Sequence, residues 1–227
     1  MKKRTAFIGG ILSFISFGQP LLFNSTLVLS STGFIIFVSE TVYARTYTSY
    51  LQEARDFLIP KGFYREAIKL LYKSLSIKES SEGYFYLGHA YRSLEEFDNS
   101  INSFKKALQF NPNNAVIYQN IGAVEGDLGN HESAIKYCSK AIELNSRYSL
   151  AYLCRGISNA NLLNHKKAIE DYNSAIIFNP NLSLAYYNRG VSKYNLQQKK
   201  SACEDWRKSL KLGYEGAINI LDKCLKY

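Results

Sequence analysis

Residues 81–114 read SEGYFYLGHAYRSLEEFDNSINSFKKALQFNPNN, and the spacing of their apolar and small residues decides the fold. Tyr84, Leu87, Gly88 and Tyr91 fall at the i, i+3, i+4, i+7 steps that put side chains on one face of a helix. Ser100, Ile101, Phe104, Ala107 and Leu108 mark one face of a second helix. Asn111-Pro112 stops that helix, because proline disfavours the helical region for the residue before it. The stretch predicts a helical hairpin with an apolar face on each helix.

The same pattern returns with a step of 34 residues. Tyr84, Tyr118, Tyr152 and Tyr186 keep that step, as do Gly88, Gly122, Gly156 and Gly190, and Leu94, Leu128, Leu162 and Leu196. Small residues follow it at Ser100, Ala134, Ala168 and Ala202, and again at Ala107, Ala141, Ala175 and Ser209. A period of this length belongs to stacked hairpins, each burying its open face against the next. Period, helix count and residue types resemble the tetratricopeptide repeat (TPR) family. The resemblance implies an all-α, right-handed α-solenoid in which Gly and the small residues let the helices of a hairpin approach closely.

It covers residues 47–227: a divergent first repeat at 47–80, repeats at 81–114, 115–148, 149–182 and 183–214, and a capping helix at 215–227. The first repeat matches through Tyr64, Ala67, Ile68, Leu71, Ser74 and Leu75, but its first helix, near Tyr50–Leu58, lacks the glycine. The cap carries Ala217, Leu221, Cys224 and Leu225 on one helical face.

Charge separates this array from what precedes it. The chain of 227 residues carries a formal charge of +9, yet no charged residue occurs between Thr5 and Ser39. Lys2, Lys3 and Arg4 precede two apolar stretches, Ala6–Gly18 and Leu21–Val38. A basic start before an apolar run is the anatomy of an export signal. Two readings of residues 1–44 stay open: a signal peptide cleaved after Val42-Tyr43-Ala44, or an uncleaved membrane anchor, for which Leu21–Val38 is just long enough as a helix. Either one places the repeats outside the cytoplasm, in a periplasm, a lumen or the extracellular space. Arg189–Tyr227 holds nine basic and four acidic residues, so the basic excess gathers at the C-terminal end.

Comparison among the repeats points to chemistry. Arg155 and Arg189 stand where two earlier repeats have Leu87 and Ile121, and those same later repeats carry Asp171 and Asp205 sixteen positions on. Arg and Asp appear together and vanish together, so two structural ion pairs are expected, Arg155 with Asp171 and Arg189 with Asp205. Cys203 and Cys224 flank the turn at Gly213-Tyr214 at similar distances, which makes a disulfide one of two open readings, the other being buried thiols. Cys138 and Cys154 are read as unpaired.

Catalysis and cofactors find no support. His131 and His165 are themselves one repeat apart, no zinc spacing of Cys or His exists, and G-x-S-x-G, H-E-x-x-H and phosphate-binding glycine loops are absent. The expectation is a non-enzyme with no cofactor and no metal. The resemblance implies instead that the first helices line a groove for a peptide or partner helix. Carried over by register, it points to Arg92, Gln119, Asn120, Leu153, Ile157, Asn161, Tyr187, Asn188, Val191 and Asn195. Relatives that clamp acidic chaperone tails use Lys and Arg there, whereas Gln119, Asn120, Leu150 and Cys154 stand here, so that activity is not expected. The partner is expected to be a protein or peptide, with the membrane a second partner if the leader stays attached. The alternative is a basic helical module for RNA or an anionic membrane surface, and the leader argues against nucleic acid.

Overall fold

The computed structural model describes residues 25–29 and 35–224. They belong to two units, Met1–Arg45 and Thr46–Tyr227. In the first, strands β1 (Ser25–Leu29) and β2 (Ile35–Ser39) pair antiparallel, with Ser25 opposite Ser39 and Leu29 opposite Ile35. The described part of Leu21–Val38 is therefore extended. Ile35, Ile36 and Val38 are β-branched and Phe37 is aromatic, a composition that favours strands over helix. Among the described residues, no helix is long and apolar enough to cross a membrane. The basic start and the first apolar stretch lie outside the described residues.

The second unit is the repeat array. Helix α1 (Glu40–Gln52) runs into a π-helical turn, Glu53–Leu58, and α2 (Tyr64–Ile77) completes the divergent hairpin. Leu51, Ala54, Leu58, Ala67, Leu71 and Leu75 are its buried apolar side chains. The next hairpins are α3 (Ser81–Ser93) with α4 (Phe97–Phe110), and α5 (Ala115–Asp127) with α6 (His131–Leu144). They are followed by α7 (Ser149–Asn161) with α8 (His165–Phe178), and α9 (Ser183–Asn195) with α10 (Lys199–Lys211). Helices pack mainly on their neighbours in sequence, which makes the array an α-solenoid of helical hairpins.

What closes three of the hairpins is one glycine facing one large side chain. A Cβ at Gly88 would sit 2.7 Å from the Phe104 ring, at Gly156 2.6 Å from Tyr172, and at Gly190 2.5 Å from Trp206. These three rings have no solvent exposure, so any side chain on the facing helix would displace core. Cys138 holds the same place opposite Gly122.

The turns inside the hairpins share a left-handed residue at one register: Gly62, Glu95, Gly129, Leu163 and Gln197 all have φ between 59° and 81°. The next residue's N–H reaches back across the turn, as from Asn164 to the Asn159 carbonyl at 2.8 Å, and so closes the helix end. A β-carbon in this region costs roughly 1–2 kcal/mol, partly offset in glycine by the entropy of its unfolded chain. Leu163 is 78% exposed and has little burial to lose. Leu163→Gly should therefore raise stability by about 0.5–1 kcal/mol, a melting shift of about 2 °C upward. A scanning-calorimetry melt that falls would show the leucine side chain to be structurally engaged.

The C-terminal cap differs from the expected α-helix. Residues Glu215–Cys224 form a 3-10 helix, with Ala217 and Cys224 buried and Ile220 and Leu221 packed beside Trp206. Apolar residues at 217, 220, 221 and 224 satisfy a three-residue turn as well as a 3.6-residue one, so the pattern did not separate the two. Leu225 lies outside the described residues.

Candidate partner-binding surface

Two neighbouring cavities open between successive first helices. One, of about 350 Å³, lies along α5 and α7; the other, of about 310 Å³, lies along α7 and α9. Arg92, Gln119, Leu153, Ile157 and Asn161 line the first. Ile157 and Asn161 reach the second as well, joined by Asn188, Val191 and Asn195. Much of the second lining stands one repeat on from the first: Asn161, Asn188, Val191 and Ser192 replace Asp127, Cys154, Ile157 and Ser158. The solenoid thus offers the same concavity twice.

Asn120 and Tyr187 line neither. Asn120 is buried and its Nδ2 donates to the Val116 carbonyl at 2.8 Å. The Tyr187 ring packs on Tyr214 with centroids 4.9 Å apart, and its carbonyl accepts Trp206 Nε1 at 3.2 Å. Register transfer finds the residue but not the tilt of its side chain, which here is set by the cap. It also missed His165, Tyr172 and Ser192 in the second cavity and Asp127 and Ser158 in the first, while Leu150 and Cys154, compared there with charged groove positions, do line the first. Leu150 is an exposed apolar residue at the start of α7.

The two linings differ in charge. Arg92 Nε meets Asp127 Oδ2 at 2.8 Å on the edge of the first cavity. Near it, burial first and then the Arg92 charge push His89 down to about 4, so its ring is neutral at pH 7. No Lys, Arg, Asp or Glu lines the second cavity. Its amides are half engaged: Asn188 Nδ2 donates to the Leu184 carbonyl at 2.8 Å and Asn195 Nδ2 to Val191 at 3.1 Å. That leaves their Oδ1 atoms as acceptors.

Beneath this surface, Arg and Asp meet within each of the last two hairpins. Arg155 Nη2 lies 2.7 Å from Asp171 Oδ1, with Nε at 3.1 Å, and Asn159 Nδ2 adds a bond to Oδ2 at 3.0 Å. Arg189 grips Asp205 in a two-point fork, 2.6 Å from Nη2 and 2.9 Å from Nε, and Lys193 Nζ lies 2.8 Å from Oδ2. The third arm of each guanidinium reaches back one hairpin, from Arg155 to Ser139 and from Arg189 to Asn173. One residue type thereby fastens a hairpin internally and to its predecessor.

Two disulfides add covalent links. Cys203 and Cys224 join α10 to the 3-10 cap, with Cα atoms 5.6 Å apart. Cys138 and Cys154 are also bridged, Cα to Cα 6.2 Å, which corrects the reading of both as unpaired. That reading placed them in separate hairpins; stacking brings the buried face of α6 against α7, and no single repeat encodes this. Among the described residues, no group of three or more His, Cys, Asp or Glu side chains is placed to hold a metal.

The class of protein is defined by these features: a helical-repeat scaffold whose first helices carry a recessed, mixed polar and apolar surface. A sequence model described as TPR repeat matches residues 88–129, and one described as tetratricopeptide repeat matches residues 115–148. The chain therefore carries tetratricopeptide repeats in that span. No curated protein matches it. Among solved structures it is similar to MamA, at 26% identity over 74% of this chain and 92% of that one, with a TM-score of 0.62. PilF of Pseudomonas aeruginosa shares the fold at 18% identity, covering 77% and 79% of the two chains, with a TM-score of 0.69. YrrB, described as a TPR protein with an unusual peptide-binding site, does so at 21% identity over 81% and 98%, TM-score 0.60.

Proposed function

We propose that the chain is a non-catalytic interaction scaffold that takes a peptide or partner helix along its first helices, on the exported side of a membrane. The observation that carries this reading is the pair of cavities one repeat apart, each combining apolar side chains (Leu150 and Ile157, then Val191) with amides that still offer acceptors. Evenly spaced concavities suit a polymer with evenly spaced side chains, and amides suit its backbone. A fold neighbour described by its peptide-binding site supports the same reading. Export is favoured by the basic, then apolar, leader and by the two disulfides, which persist in oxidising compartments. The basic alternative is weakened because Arg189 and Lys193, two cations of the basic end, are already paired with Asp205.

Selection of displayed peptides on the full chain tests the proposal. Peptides recovered by the unaltered protein should bind at least tenfold more weakly to Ile157→Glu and Val191→Glu, both partly exposed positions at the edge of the core, with the helical far-UV spectrum retained. Affinity should also vary little between about 50 and 200 mM salt, since binding through about six to ten phosphate contacts loses roughly 10³–10⁵ in affinity over that range. Equal binding by the variants, or a steep salt slope, would overturn the groove.

A further inference from the structure

We propose that the exposed face of α10 is a docking surface for an anionic lipid bilayer, separate from the groove of the first helices. Lys200, Glu204, Arg207, Lys208 and Lys211 are exposed and fall within about 100° of arc around that helix. Four cations and one carboxylate therefore share one stripe. Arg189 and Lys193 of the same hairpin are taken up by Asp205. Among the described residues, the four cations of the stripe have no ion pair, and Lys208 only leans over the Tyr186 ring at 6.0 Å. Their charge is left for an outside partner.

The repeats supply internal controls. At the same five registers α6 carries Glu132, Lys136, Lys140 and Glu143, which cancel, and in α8 Lys166 cancels Glu170. α4 keeps one net positive charge there, whereas α10 keeps three. Helix electrostatics do not account for the excess. Lys208 and Lys211 stand in the last turn, where the helix dipole favours cations, but Lys200 stands near the start, where the dipole opposes it. In that first turn α4 and α6 carry Asp98 and Glu132 instead. Only the last hairpin reverses the pattern in favour of one uniform sign.

The neighbouring residues select among anionic partners. Ile177 holds the Lys211 register one hairpin earlier and is 72% exposed. An aliphatic side chain gains nothing from a nucleic-acid backbone, but it buries itself at the headgroup and acyl boundary of a bilayer. Lys and Arg beside it lay their stems on the same boundary and keep their charges among the headgroups. The stripe carries no aromatic side chain on which bases would stack. Each cation held near an anionic bilayer is worth about fivefold in affinity, so three net charges give roughly a hundredfold.

Lysine acetylation of the full chain, read residue by residue by mass spectrometry, tests this surface. Attachment through the leader alone would leave α10 uncovered, so the readout is local. Vesicles of phosphatidylcholine and phosphatidylglycerol in equal parts should slow acetylation of Lys200, Lys208 and Lys211 about fivefold or more. Phosphatidylcholine alone should protect none of them, and the exposed Lys69, Lys105 and Lys136 should react as before in both cases. Arg207→Gln with Lys211→Gln should abolish the protection of Lys200 and Lys208, while Lys69→Gln with Lys105→Gln should leave it intact. Ile177→Ser should raise the vesicle concentration needed for half protection about threefold. Equal acetylation of α10 with and without the anionic vesicles would overturn the surface. Protection by polyuridine RNA or polyglutamate that matches the vesicles, together with indifference to Ile177→Ser, would overturn the bilayer as its partner.

Discussion

Asp205→Ala should destabilise the last hairpin by about 3 kcal/mol, more than any truncation of an exposed charge in the same repeat. Asp205 is 7% exposed at its side chain and accepts from two cations, Arg189 and Lys193, each 17% exposed. Its removal leaves two like charges close together in a half-dry setting. The loss from breaking a buried pair is about 3–5 kcal/mol, and the lower figure applies because both cations retain a route to water. Asp171→Ala should cost less, about 2 kcal/mol, since one cation alone is orphaned and Arg155 is 27% exposed. Position adds to the difference: Asp171 lies in a hairpin with neighbours on both sides, Asp205 in the last hairpin of the array. Urea unfolding joined to amide hydrogen exchange separates the two, because Asp205→Ala should release α9 and α10 first. Replacing the interior pair together, Arg155→Met with Asp171→Leu, should recover most of the loss, as apolar substitutes often do for buried pairs. If Asp205→Ala behaves like a surface substitution, the fork does not form.

Reduction of the disulfides is expected to have the largest effect of all. The bridges close loops with sequence separations of 16 and 21 residues. Each restricts the unfolded chain by about 3 kcal/mol, and the two loops are too similar in length to differ by more than a few tenths. Their consequences differ in place. Cys203–Cys224 pins the 3-10 cap over Trp206, so Cys224→Ser should loosen the cap and wet that ring, a change visible in tryptophan fluorescence. Cys138–Cys154 links successive hairpins and walls the first cavity, so Cys138→Ser with Cys154→Ser should lower the stability of the middle of the array. Alkylation before and after reductant should count four thiols only in the reduced protein. A denaturation midpoint that reductant leaves unchanged would show that the cysteines stay unpaired.

Most of the array is legible from the chain because it is periodic. Helix starts at Ser81, Ala115, Ser149 and Ser183 follow from apolar spacing alone, and the glycine that faces Phe104, Tyr172 or Trp206 is repeated in each copy. The Arg155–Asp171 and Arg189–Asp205 contacts were readable for a related reason, since both partners lie in one repeat and change together. The left-handed turn residues were half hidden: Gly62 and Gly129 announce the turn, while Glu95, Leu163 and Gln197 hold the same φ with a β-carbon. The capping of the helix end decides that angle, not the local preference of the residue.

By itself, then, the sequence determined the period, the hairpins, the interior of each hairpin and its ion pair. Each can be read by comparing one repeat with the next, because the residues involved share a helix face or face one another within a single hairpin. The tertiary structure decided what happens between hairpins and at the two ends. It bridged Cys138 to Cys154, buried Asn120, set Tyr187 against Tyr214, wound the cap as a 3-10 helix, and made strands of residues 25–29 and 35–39. The physical reason is that stacking sets the offset between successive helices. Covalent bridges and cavities depend on that offset to within an ångström or two, and no single repeat contains it.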